Sequence, residues 1–181
     1  MADILLVYGT DTNNTESIAQ ELQTRFEQLG LGVELTNITD LEPETLLAHS
    51  YCVFGIPTWD FGGIQADWEA FEPVLRSLDF SQHQIAIFGL GDQFGYGDFF
   101  IDAVGWLHEI LAEQGGNFYG YWPTKGYDFN ASRALLPDGE HFMGLAIDED
   151  QQFELTEQRL AAWVELLKTS MLAPLLEKVN A

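Results

Sequence analysis

Between residues 9 and 17 the chain reads GTDTNNTES, directly after the apolar run ILLVY. Hydroxyls stand at Thr10, Thr12, Thr15 and Ser17, with Asp11, Asn13 and Asn14 between them. Placed where a strand gives way to a helix, such a stretch can surround one anion with hydroxyls and successive backbone N–H groups, at the helix end whose dipole favours negative charge. Its chemistry is binding. The pattern G-x-x-x-x-G-K-[ST] is absent, and with it the lysine and the metal-binding hydroxyl of nucleotide-hydrolysing loops. No Lys or Arg appears before Arg25. An ordinary helix cap explains Thr12 or Thr15 about as well as a phosphate does, so this loop alone does not establish a ligand.

Two further loops have unusual composition. In GIPTWDFGG (55–63) an apolar strand ends at Pro57, and Thr58, Trp59, Asp60 and Phe61 follow in what reads as an exposed turn. Gly62 and Gly63 give that turn backbone freedom. One exposed aromatic residue is unremarkable, but a Thr-Trp-Asp-Phe-Gly turn is not typical loop composition. In GLGDQFGYGDFF (89–100), Leu90 and Gly91 lead into Asp92, Tyr96, Gly97, Asp98 and Phe99. The glycines permit close backbone approach to a flat ligand, Tyr96 offers a stacking face, and Asp92 can accept an N–H. A phosphate loop and two aromatic loops at one edge would suit a flat aromatic phosphate ester held between two rings.

The elements around these loops place them at one edge. Apolar runs at 3–9, 32–38, 51–57, 84–91 and 117–122 read as strands. Helical spacing recurs between them: Ile18, Leu22, Phe26 and Leu29, stopped by Gly30; Trp68, Phe71, Leu75 and Leu78; Val104, Leu107 and Leu111; Leu160, Trp163, Val164 and Leu167. Alternating strands and helices predict a parallel sheet covered on both faces with right-handed crossovers. Ligands of such sheets bind beyond the carboxyl ends of the strands, where all three loops emerge. Residues 122–142 have no clear period, and MGLAI (143–147) resumes as strand. A loop of this length inside a domain is usually functional. The aromatic residues of 119–129 suit a local core for this loop and partner recognition equally well. The chain divides into a domain over 1–170 and a C-terminal extension over 171–181, where Pro174 predicts a kink or a separate short helix.

Composition bounds the function. The chain has 181 residues, 46% of them hydrophobic, with 7 Lys plus Arg against 29 Asp plus Glu, a formal net charge of -22. That balance excludes ordinary nucleic-acid binding, argues against docking on anionic lipid and favours basic-faced partners. No stretch has the length of a membrane span and no basic leader precedes an apolar segment, so the expected home is the cytoplasm. Cys52 is the only cysteine and reads as a small buried hydrophobe. His49, His83, His108 and His141 are scattered and read as surface or loop residues. The acidic run DEDQQFE (148–154) lacks a metal-loop pattern and reads as a solvated face.

The chain resembles the long-chain flavodoxins over essentially its full length. TDTNNTE (10–16) meets the family's phosphate loop [ST]-x-T-G-x-T-E; PTW with DFGGIQADWEAF matches at 57–71, and GDQFGY at 91–96. YWPTKGYDF (121–129) matches the long-chain insertion and GLAIDED (144–150) a late segment. The resemblance implies a flavodoxin-like α/β three-layer sandwich. Its five-stranded parallel sheet has the order 2-1-3-4-5 and a long insertion, about 122–142, interrupting the last strand; this order is carried over from the family. It implies a monomer that binds FMN noncovalently, carries electrons and does no substrate chemistry. Thr10, Asp11, Thr12, Asn13, Asn14 and Thr15 would surround the 5′-phosphate. Trp59 and Tyr96 would flank the isoalloxazine, within loops supplying Pro57, Thr58, Asp60, Phe61 and Gly62, and Leu90, Gly91 and Asp92. Asp92 and the backbone of Tyr96, Gly97, Asp98 and Phe99 would meet its pyrimidine edge. The Asp60 carbonyl would turn toward N5 when that atom gains hydrogen, and Asp150 would approach the ribityl chain. Asn13 stands where the family usually has Gly, and Asn tolerates left-handed backbone better than most residues. Asp60 and Gly63 also depart, from an uncharged residue and from Glu, and both bear on the potential. The implied partners are basic-faced redox proteins such as a flavodoxin/ferredoxin-NADP reductase.

The rival on the same fold is an FMN-dependent quinone reductase-type oxidoreductase, and fold alone does not separate the two. An enzyme needs an open pocket over one flavin face, which Trp59 and Tyr96 on opposite faces would close. A flavin-free receiver-type domain would want an acidic cluster at the first strand end and a lysine on a late strand. Lys125 lies in the insertion and does not supply it.

Overall fold

The computed structural model describes residues 1–181. The chain runs through β1 (Ile4–Tyr8), α1 (Asn14–Gln28), β2 (Val33–Asn37), α2 (Pro43–Ala48), β3 (Tyr51–Trp59), β4 (Gly63–Ile64), α3 (Ala66–Ser77), β5 (Gln84–Leu90) and α4 (Asp102–Glu113). It continues through β6 (Asn117–Tyr119), β7 (Trp122–Pro123), β8 (His141–Phe142), β9 (Leu145–Ile147), α5 (Thr156–Lys168) and α6 (Ala173–Val179). The main sheet has the order β2-β1-β3-β5-β6, all parallel along this path. Beyond β5, one line of pairing is shared by two short strands. Gln84–Ala86 pair with β6 and Phe88–Leu90 pair with β9. Between Tyr119 and Leu145 the chain leaves the sheet, forms the β7–β8 ladder and returns.

Every residue of β1 is buried, as a central strand covered on both faces requires. Strand alternation sends Leu5 and Val7 to one core and Ile4, Leu6 and Tyr8 to the other. The first core holds Phe54, Trp68, Leu75, Val104, Leu107 and Phe142, under α3 and α4. The second holds Leu22, Phe26, Phe88, Trp163 and Leu167, under α1 and α5. Met171, Leu172 and Leu175 join this second core, so α6, with Pro174 in its first turn, packs against the domain.

Several elements differ from the sequence reading. β3 continues past Pro57 to Trp59 and folds back on β4, pairing Thr58 with Ile64 and Trp59 with Gly63. The six-residue α2 is too short for a helical period to show in the sequence. His49 and His83 are buried, contrary to a surface placement, with ring nitrogens against the carbonyls of Thr45 and Leu46. Asp148 is fully buried and so does not belong to a solvated acidic face. The insertion's aromatic residues form a local core. Tyr127 and Phe129 pack around Phe100 and Phe142, and Trp122 Nε1 donates to the Tyr127 hydroxyl. Cys52 is buried, and desolvation pushes its thiol far above the usual range.

Candidate functional site

The carboxyl end of β1 delivers its loop over two buried side chains. A Cβ at Gly9 would run into Gln65 Oε1 and approach the Trp68 ring to 2.7 Å, so only glycine passes here. Gln65 Oε1 accepts Trp68 N–H at 3.3 Å, while its Nε2 donates to Asp11 at 3.2 Å and Asp67 at 2.7 Å. Trp68 Nε1 donates to the Gly55 carbonyl at 3.1 Å, and Gly9 N–H donates to the same oxygen. Asn13 caps α1 with φ 67, a left-handed conformation in which Asn replaces glycine at small steric cost. Its carbonyl accepts both the N–H and the hydroxyl of Ser17. Thr15 is buried in the first turn of α1, and the Thr10 hydroxyl is buried with no partner.

The second loop follows β3. Thr58 Oγ1 accepts Ala103 N–H at 3.0 Å and so ties the strand end to α4. Asp60 has φ 44 and Gly62 φ 81, two left-handed residues flanking Phe61. Trp59 is half-buried, and its Nε1 is enclosed without a hydrogen-bond acceptor.

The third loop follows β5 and is fixed by its own carboxylate. Asp92 Oδ1 accepts the N–H groups of Phe94 (3.0 Å) and Gly95 (2.7 Å) and the Gln151 amide (3.0 Å). Burial works to raise the Asp92 carboxyl, but these donors outweigh it and hold it below the ordinary range. The Asp60 carboxylate beside the Tyr96 hydroxyl keeps that proton on and pushes the phenol up. The exposed Phe61 ring stands edge-on to both Tyr96 and Phe99, with centroids 5.8 Å away in each case. The loop ends at Ile101, a buried β-branched residue at φ 49, which is a strained conformation.

Together the loops enclose a cavity of about 350 Å³, in the range of small-molecule sites. Of the residues singled out in the sequence, Asp11, Thr12, Asn14, Thr15, Pro57, Thr58, Trp59, Asp60, Leu90, Gly91, Asp92, Tyr96 and Asp150 line it. Thr10, Asn13 and Gly62 lie in its loops without lining it. Phe61, Gly97, Asp98 and Phe99 border an adjacent groove with Phe94, Gly95, Asn130 and Tyr96. The sequence reading missed Glu149, from a fourth loop after β9, because that acidic run carries no aromatic or glycine signal. Five lining residues are carboxylic acids and none is Lys, Arg or His. Asp150 is pushed up, first by burial and then by the charges of Asp92 and Asp148. With no cation on the wall, an anion here must be held by hydroxyls and backbone N–H groups, which the start of α1 offers, with Asp11 the one carboxylate in that loop.

The chain is similar to known proteins over nearly its whole length. Residues 6–163 match the family model described as Flavodoxin. The flavodoxin of Haemophilus influenzae is 45% identical over 174 residues, covering 94% of this chain and 97% of that protein. Flavodoxin 2 of Escherichia coli is 41% identical, with 92% and 95% covered. A crystal structure of Fusobacterium nucleatum flavodoxin bound to flavin mononucleotide superimposes with a TM-score of 0.86 at 26% identity, covering 93% of this chain and 98% of that one. No helix is long and apolar enough to cross a membrane. By family model, by identity over nearly the whole length and by topology, the chain belongs to the flavodoxin family.

Proposed function

We propose that the chain binds FMN noncovalently in this cavity and serves as a low-potential, one-electron carrier, with the insertion of the long-chain members. The observation that carries the reading is a cavity whose wall holds Trp59 and Tyr96 beside the hydroxyl-bearing start of α1; two of the buried polar atoms without a protein partner, Trp59 Nε1 on that wall and Thr10 Oγ1 in the adjoining loop, belong to these elements. Buried polar atoms seldom go unpaired, and a phosphorylated, flat heterocycle supplies partners for both. FMN, when bound, supplies the redox chemistry, taking up and releasing electrons one at a time. Thr10, Thr12 and Thr15 and the N–H groups opening α1 hold its phosphate. Trp59 and Tyr96 pack on the ring, Asp92 and its loop meet the ring edge, and Asp150 lies toward the ribityl chain. The acidic surroundings disfavour added negative charge and so lower the potential. Two aromatic rings on the cavity wall support a carrier over an enzyme with an open substrate pocket.

Flavin extracted from the purified protein by acid and chromatographed is expected to be FMN. FAD, or no flavin even after reconstitution, would refute the reading. A net charge of -22 supports redox partners with basic faces, such as a flavodoxin/ferredoxin-NADP reductase. Stopped-flow reduction by such a partner is expected to slow steeply as salt shortens screening to about 8 Å and below. Rates that stay flat with salt would exclude steering.

Asp60 is exposed and its carboxylate faces the Tyr96 hydroxyl at the cavity rim. Asp60→Asn removes a negative charge near the ring without touching the backbone. It is expected to raise the more negative one-electron potential by tens of millivolts, because solvent screens a rim charge strongly, and to leave FMN affinity nearly unchanged. A spectroelectrochemical titration showing no rise would assign the tuning to the diffuse acidic field.

A further inference from the structure

Asp148, just after β9, is 0% exposed, has no Lys or Arg within ion-pairing distance and lines neither the cavity nor the groove beside it. A buried carboxylate without a cation is costly unless its oxygens are fully hydrogen-bonded. Here both oxygens are. Oδ2 accepts Gln93 N–H at 3.0 Å and Gln93 Nε2 at 2.8 Å; Oδ1 accepts Asp150 N–H at 3.1 Å and Gln151 N–H at 2.9 Å. Gln93 is itself buried, and its Oε1 accepts Asp128 N–H from the insertion at 2.6 Å. The insertion also grips the far end of the same loop, where Asn130 and Ala131 N–H groups donate to the Gly97 carbonyl at 2.8 and 3.0 Å. Gln93 directly follows Asp92 and precedes Tyr96, the two residues of this loop proposed to meet the ring. Gln151, whose backbone Asp148 fixes, donates its side chain to Asp92.

We propose that Asp148 is a positioning residue for flavin recognition, holding Asp92 and Tyr96 in place through Gln93 on one side and Gln151 on the other, with the insertion braced against the same glutamine. This rests on the FMN reading above. Asp148 touches no ligand. Its part is to add a buried anchor, beside the insertion's grip on Gly97, to a loop whose own internal bonds are exposed turn bonds, so the ring meets a prearranged wall and binding orders less of the chain. The phosphate loop, on the other side of the cavity, shares none of these bonds.

Asp148→Asn keeps the shape but turns one acceptor oxygen into a donor, which then faces either Gln93 or the N–H pair at 150–151. Gln93→Met keeps length and breaks the relay from its other end. Both variants and their double are prepared as apoproteins and titrated with FMN, riboflavin and inorganic phosphate, and amide exchange is followed at Phe94 and Gly95. FMN and riboflavin affinities are expected to fall together by about tenfold in each single variant, on the scale of a lost hydrogen bond to a charged group. The double variant is expected to be no weaker than the weaker single, since both break one chain of contacts. Phosphate affinity should stay unchanged, and Phe94 and Gly95 should exchange faster. Flavin affinities that stay at the wild-type value in folded Asp148→Asn, phosphate affinity falling in step with riboflavin, or additive losses in the double variant would each overturn the proposal. If Asp148→Asn does not fold, Gln93→Met decides alone: unchanged riboflavin affinity overturns it. Should the unmodified apoprotein take up no flavin, the FMN reading fails, and exchange at Phe94 and Gly95 still shows whether Asp148 holds the loop.

Discussion

Trp59→Ala is expected to weaken FMN binding by about 1–3 kcal/mol, roughly five- to 150-fold in Kd, on the scale of a lost aromatic stack. Tyr96→Ala should fall in the same range and toward its lower end, because Tyr96 is 37% exposed and its ring is partly spent on the edge contact with Phe61. The structure sharpens the experiment for Trp59. Its indole N–H is enclosed without an acceptor, so Trp59→Phe, which keeps a ring but removes the donor, separates stacking from hydrogen bonding. If the ligand supplies that acceptor, the phenylalanine variant should lose part of the affinity; if it does not, the variant should match the parent. Phe153→Ala is the control, since Phe153 is 71% exposed and lines neither the cavity nor the groove beside it. Quenching of flavin fluorescence on titration with apoprotein reads all of these. Equal affinity for Trp59→Ala and the control would remove Trp59 from the site.

The largest effect on stability should come from Trp68→Ala. Trp68 is fully buried, stands edge-on to Phe54 at 5.9 Å and donates to the Gly55 carbonyl. Truncating it opens a cavity under the first loop, a loss of about 3–5 kcal/mol on the scale of buried aromatic deletions. Against the 5–15 kcal/mol that is typical of whole domains, that is a large fraction, and urea unfolding of the apoprotein should show a markedly lower midpoint. Trp68→Phe retains most of the volume and loses mainly the hydrogen bond, so its loss should be smaller. The functional consequence follows from position. Gly9 lies against this ring, and Gln65, which accepts the Trp68 backbone N–H, donates to Asp11, so loss of the ring's support under Gly9 should also make the folded fraction of Trp68→Ala bind phosphate and FMN more weakly. Equal urea midpoints for the alanine and phenylalanine variants would show that the ring's bulk is not what supports this loop.

The family's sheet order was carried over by resemblance, but the sheet itself and most of the cavity wall were legible in the residues. Apolar runs such as ILLVY and QIAIFGL are long enough to be central strands. The breaks that follow them concentrate hydroxyls, glycines and aromatic residues where a parallel sheet opens its ligand edge. Local chemistry decides such features: Asn13 is among the few side-chain-bearing residues that adopt φ 67 easily, and its place before a helical period could be read directly. What the sequence could not show is which groups meet across long separations. Nothing in DEDQQFE marks Asp148 as buried, and only the family resemblance points Asp150 to the cavity, because burial there depends on β9 returning beside β5 after the insertion. His49 and His83 read as scattered polar residues until packing placed their rings against the carbonyls of Thr45 and Leu46. The contacts of Gln93 with Asp148 and Asp128 join residues dozens of positions apart. Periodicity reports only which face of its own element a residue occupies; which distant partner waits on that face is decided when the elements pack.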